Sequence, residues 1–192
     1  MKTKRILVAC LVSSSLLFSC KKDPDQVATP QKPNEGEVIT TVTMEFTDTE
    51  SPFSKTTATI RDPDGKVGND AVQVDTIKLQ ANRTYNVEVL LLDETKNPID
   101  TISQEVEEEG DEHQFFYTKT NADMEIKSID ADKNGVPIGL KTIITTGGAT
   151  TGKNGTLLVT LKHQDDKKPK SGEGDINIGD TDIEVPFPVI IR

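Results

Sequence analysis

Along four stretches of the chain, apolar and polar residues take turns with a period of two. They are Val38, Thr40, Val42, Met44 and Phe46; Tyr85, Val87, Val89 and Leu91; Leu157, Val159 and Leu161; and Ile183, Val185, Phe187, Val189 and Ile191. Successive side chains of a strand point to opposite faces, so this period predicts strands with one face in a core and one in water. Shorter runs at Thr56–Arg61, Val72–Leu79, Thr101–Val106, Gln114–Thr118, Met124–Ile129 and Leu140–Thr145 read as further strands. Turn chemistry separates them: Asp62-Pro63-Asp64-Gly65, Ala81-Asn82, Lys96-Asn97-Pro98, Asn134-Gly135 and Asn154-Gly155. No stretch carries the apolar stripe of a helix.

Many short strands with Asx-Gly turns predict an all-β fold, an antiparallel β-sandwich of Ig-like or fibronectin-like type, over residues 38–192. Tryptophan is absent, and of the two cysteines neither is free to form a core disulfide, which excludes an antibody-type domain. Pro186 and Pro188 occupy alternate positions of the last strand, and two missing N–H groups suit a sheet edge.

The N-terminus departs from this pattern. Lys2, Lys4 and Arg5 precede an apolar run from Ile6 to Phe18, too short to cross a bilayer, which predicts a signal peptide over residues 1–19. Leu17-Phe18-Ser19-Cys20 resembles the bacterial lipobox, which implies a diacylglyceryl anchor on Cys20 and hence a membrane partner. Cys10 leaves with the signal, so stability must come from burial. Residues 20–37, polar and rich in proline, read as a tether, and Lys22-Asp23-Pro24-Asp25 is similar to a lipoprotein surface-export signal. Loss of Lys2, Lys4 and Arg5 takes the net charge from −10 to −13, which argues against nucleic acid as a partner.

Several segments invite chemistry. Gly147-Gly148-Ala149-Thr150-Thr151-Gly152-Lys153-Asn154 comes close to a phosphate-binding loop, but Asn154 replaces the hydroxyl residue and a strand, not a helix, follows; no nucleotide is expected, and the glycines read as those of a hairpin joining two strands. Asp130, Asp132 and Asn134 with Gly135 match the first half of a weak calcium loop, whose twelfth position is Lys141 where a bidentate Glu belongs. His113 and His163 are the mature chain's only imidazoles. Each lies at the end of an expected strand, half-exposed at the core's rim, and if the two ends meet at one pole they could hold a metal or ligand with Glu112 or Asp111. No serine or cysteine has an activating neighbourhood, so the chain reads as a binding protein and not an enzyme; the sequence names no cofactor. Asp75-Thr76-Ile77 and Asp100-Thr101-Ile102 resemble an extracytoplasmic O-glycosylation sequon.

The segments EGDEHQFFYT, DADKNGVPIGL, GTLLVTLKHQ and GDTDIEVPFPVIIR resemble a group of small Bacteroidetes-type outer-membrane lipoproteins of unestablished function, over most of residues 38–192. The resemblance implies an outer-membrane location, periplasmic or surface-exposed, and an accessory role beside a TonB-dependent receptor. Some members carry the label of a type 1 periplasmic-binding fold. That two-lobed α/β architecture needs several helices and a longer chain, so it is not expected here.

Overall fold

The computed structural model describes residues 37–63, 72–150, 155–165 and 168–192. The expected signal peptide, Cys20 and the tether as far as residue 36 lie outside the described residues, as do Gly152, Lys153 and Asn154. Among the described residues the fold is an all-β sandwich of two sheets with one short helix.

In chain order the elements are β1 (Thr41–Asp48), β2 (Lys55–Arg61), β3 (Gln73–Val74), β4 (Ile77–Leu79), β5 (Thr84–Leu92), α1 (Ile102–Glu108), β6 (His113–Thr120), β7 (Met124–Ser128), β8 (Lys141–Thr146), β9 (Gly155–His163) and β10 (Asp180–Ile191). One sheet runs β3-β2-β1-β5-β8-β7 and the other β4-β10-β9-β6. All pairs are antiparallel except β4 with β10. Val42, Met44 and Phe46 of β1 and Val87, Val89 and Leu91 of β5 join Leu157, Val159 and Leu161 of β9 and Ile183, Val185 and Phe187 of β10 in a single buried cluster. These are the alternating positions of the sequence. Burying a branched or aromatic side chain contributes about 1.5–3 kcal/mol, so this cluster is the main source of stability.

Four expectations change. Thr101–Val106 is not a strand: α1 starts at Ile102, and Ile102 and Val106, four residues apart, are its buried side chains. About two turns of helix show only a single apolar pair, too little for a periodic signal. The expected strand Val72–Leu79 is two strands in different sheets, with Asp75 and Thr76 carrying the chain across. Asp75 marks the crossing by accepting the Thr59 N–H at 3.0 Å through its carboxylate. The last strand is not a simple edge. β9 flanks nearly all of β10, and β4 covers only Val189–Ile191 of the other side. Pro186 and Pro188 fall where that other side is open, which is where a strand tolerates residues without an N–H. Finally, Gly147 and Gly148 do not belong to a hairpin, because β8 and β9 lie in different sheets. The Asp123 carboxylate caps that crossing, accepting the Gly148 N–H at 2.9 Å.

Candidate functional site

The core face of the β4-β10-β9-β6 sheet changes character at one end. Going along β6 and β9, the paired residues Tyr117 and Val159, then Phe115 and Leu161, are followed by His113 and His163. Period-two alternation thus carries both imidazoles onto the inner face, one step beyond the last apolar pair. Their ring centroids lie 4.3 Å apart, edge to face.

β10 adds the third member through an irregularity. Thr181 pairs with Lys162 and Ile183 with Leu161, leaving Asp182 as an extra residue in a β-bulge. Strict alternation puts Asp182 on the outer face with Glu184. The bulge turns it inward beside Ile183, and its side chain is only 4 % exposed. Bulges commonly re-aim a side chain in this way next to functional sites. A ring nitrogen from each of His113 and His163 and a carboxylate oxygen of Asp182 all lie within 4.8 Å of one another.

Two further elements close the pole. Glu109, just past α1, turns its backbone carbonyl to His113 Nδ1 at 3.2 Å. A carbonyl can only accept, so Nδ1 carries the proton and Nε2 presents a lone pair. Glu37, immediately ahead of the expected sandwich boundary at Val38, sends its side chain in from the N-terminal side with 10 % exposure. Its Oε1 lies 3.7 Å from His113 Nε2, and Asp182 Oδ2 lies 3.9 Å from the same nitrogen. Both are beyond hydrogen-bond reach. His113 Nε2, Asp182 Oδ2 and Glu37 Oε2 are all buried and make no hydrogen bond.

Burial sets the charge states. It lowers the His113 pKa to about 4, keeping the ring neutral at pH 7. Burial first, and Asp182 second, raise Glu37 to about 8; burial also raises Asp182 to about 6. On the outer side of His163, Nε2 meets Asp165 Oδ1 at 2.5 Å and Glu112 Oε2 at 3.8 Å.

Compared with known protein families, curated proteins and solved structures, the chain matches none.

Of the residues singled out from the sequence, the structure brings His113, His163 and Glu112 together, though Glu112 approaches His163 only. Asp111 is elsewhere, in an ion pair with Lys133 at 2.6 Å. The histidines are buried, at 0 % and 6 % exposure, where half-exposed rings were expected. The reason is the segment after β9, which folds back across the pole: Gln164 donates to the carbonyls of Asp175 and Ile178, and Gln114 to that of Glu173. Gly179 passes so close that a Cβ there would lie 1.9 Å from the His163 carbonyl oxygen. Sequence reasoning missed Asp182, Glu37 and Glu109. Only a bulge, a long-range contact and a backbone carbonyl bring these three in, and none leaves a periodic trace.

The Asp130 and Asp132 carboxylates are turned back onto their own loop. Asp132 Oδ1 accepts the N–H groups of Asn134 and Val136 at 2.8 and 2.9 Å, and Asp130 accepts those of Gly139 and Lys141 at 2.8 and 3.0 Å. The cation beside Asp132 is Lys168, with Nζ 3.2 Å from Oδ2 and both side chains buried. This is an Asx turn closed by an internal ammonium.

Proposed function

We propose that this protein is a lipid-anchored binding module of the cell envelope whose ligand sits at the pole where His113 and His163 meet. One observation carries the binding half: two imidazoles and the Asp182 carboxylate lie within 4.8 Å of one another, with side chains at most 6 % exposed. A buried polar atom without a partner costs about 1–3 kcal/mol. A sandwich serving only as a spacer has no use for His113 Nε2, Asp182 Oδ2 and Glu37 Oε2 left without hydrogen bonds at one pole. The anchoring half rests on Lys2, Lys4 and Arg5, the apolar run and Cys20. Association with a TonB-dependent receptor at the outer membrane rests on the resemblance of residues 38–192 and is tested by co-purification with such a receptor.

The second reading is a structural or adhesion module without a small ligand. Phe53 favours it, standing fully exposed in the connection between β1 and β2.

Titration of Zn²⁺ and Cu²⁺ into the wild type, His113→Ala and His163→Ala tests the binding half. Equal loss of binding in both variants supports it, and unchanged binding with a lowered melting temperature sinks it. For the anchor, Cys20→Ala is expected to release the protein from the outer membrane; a variant that still fractionates there overturns lipidation.

A further inference from the structure

Resting on that reading, we propose that the pole is a closed four-ligand site for a divalent first-row transition ion, zinc foremost, formed by His113 Nε2, a ring nitrogen of His163, and the carboxylates of Asp182 and Glu37. Because Glu109 holds the proton on His113 Nδ1, the Nε2 lone pair faces the carboxyl groups of Asp182 and Glu37. At 3.7 and 3.9 Å no proton bridges them. Three buried atoms without hydrogen bonds, His113 Nε2, Asp182 Oδ2 and Glu37 Oε2, share this pole.

Size and donor type narrow the ion. Tetrahedral ligands about 2.0–2.1 Å from zinc lie roughly 3.4 Å from each other. From His113 Nε2 the separations of 3.7 and 3.9 Å need to close by a few tenths of an ångström; the His113, His163 and Asp182 atoms lie within 4.8 Å of one another, and Glu37, which reaches His113 in a separate group, has to swing further inward to join them. Two imidazoles with two carboxylates suit Zn²⁺ or Cu²⁺, whereas Ca²⁺ and Mg²⁺ take oxygen sets. The Glu109 carbonyl on His113 is the outer support that metal-bound histidines use.

A rival set lies outward: Glu112, His163 and Asp165. It is the weaker candidate. Asp165 is 58 % exposed, so water solvates its carboxylate beside His163 Nε2. The Glu109 carboxylate is also in reach of His113 and Glu37, but Glu109 is solvent-exposed.

Glu37 gives the site a consequence. It stands where the expected tether enters the sandwich, so a bound ion fastens that junction to β6, β9 and β10.

The test uses the purified full chain and Zn²⁺ in competition with a chromophoric chelator. One zinc per chain is expected. Asp182→Asn and Glu37→Gln should each weaken binding by at least the roughly 10–100-fold that loss of even an outer partner causes. Glu112→Gln, Asp165→Asn and Glu109→Gln should leave it unchanged. Co²⁺ bound to the wild type should give the intense visible bands of a tetrahedral ion, a readout that needs no variant to fold. Full binding by both Asp182→Asn and Glu37→Gln, while the histidine variants fail, overturns the four-ligand site but leaves the binding pole standing. Loss confined to Glu112→Gln and Asp165→Asn moves the ion to the outer set. Absence of both zinc binding and cobalt bands overturns the site altogether.

Discussion

His113 and His163 pair directly across the β6–β9 ladder, so the two rings that end the apolar face of one sheet touch each other and not solvent. An ion held there binds the folded chain and not the unfolded one. Free Zn²⁺ at a hundred times its dissociation constant should therefore raise the unfolding free energy by about 2.7 kcal/mol. Urea melts with zinc and with a chelator measure this. His113→Ala should melt identically under the two conditions, and a wild type that does so too speaks against a folded-state site.

Most of the sandwich was legible because it is built from period-two burial: β1, β5, β9 and β10 turn inward the residues that the alternation marks. Half of the site was legible for the same reason, since His163 continues the face of Leu161 and His113 that of Phe115. The remainder comes from departures. Asp182 is aimed by a bulge that resets the period, and Glu37 arrives from outside any strand. Ile102 and Val106 make a helix so short that it resembles a strand in sequence. Register and bulges depend on partners far along the chain, and no local window contains them.

Lys168 acts as an internal clamp. Its ammonium donates to the carbonyls of Gly110, His113 and Pro137 at 2.6, 2.9 and 3.1 Å and faces Asp132 at 3.2 Å. Removing it leaves a buried carboxylate and three carbonyls without their shared cation. Breaking a buried pair costs about 3–5 kcal/mol, so Lys168→Met should lower the urea midpoint by that equivalent at unchanged slope. Lys133→Met, which breaks the exposed pair with Asp111, should stay within about 0.5 kcal/mol. Equal effects would mean that the clamp is not carrying the loop.

Two glycines with positive φ separate backbone strain from packing. Gly135 has φ +81° and open space where a methyl group would stand, whereas Gly139 has φ +87° and its Cβ would lie 2.9 Å from Phe115 Cβ and 3.1 Å from the Phe115 carbonyl oxygen. Gly135→Ala should cost about 1–2 kcal/mol from backbone strain alone. Gly139→Ala adds an overpacking term of about 1–3 kcal/mol, because the Phe115 backbone on β6 cannot yield without disturbing the ladder. Comparable losses in thermal unfolding would refute the close approach.

The acid limb of stability should depend on Glu94. Its carboxylate accepts from Arg61 Nε at 2.8 Å and Arg61 Nη2 at 2.5 Å, and from the Thr41 hydroxyl at 2.5 Å, joining the end of β2 and the start of β1 to the segment after β5. The Arg61 hydrogen bonds first, and Thr41 second, lower its pKa from 4.5 to about 2. With the folded pKa below the unfolded one, the unfolded chain binds the proton more readily. The contribution is therefore complete above pH 4.5 and is lost as pH falls through that value to about 2. Neighbouring solvent screens the pair, so its size is that of a partly exposed ion pair, about 1 kcal/mol or less. Glu94→Gln should lower stability at pH 7 and converge with the wild type near pH 2, leaving a shallower acid limb between. Parallel pH profiles for the two proteins would show that Arg61 does not hold this carboxylate in the folded chain.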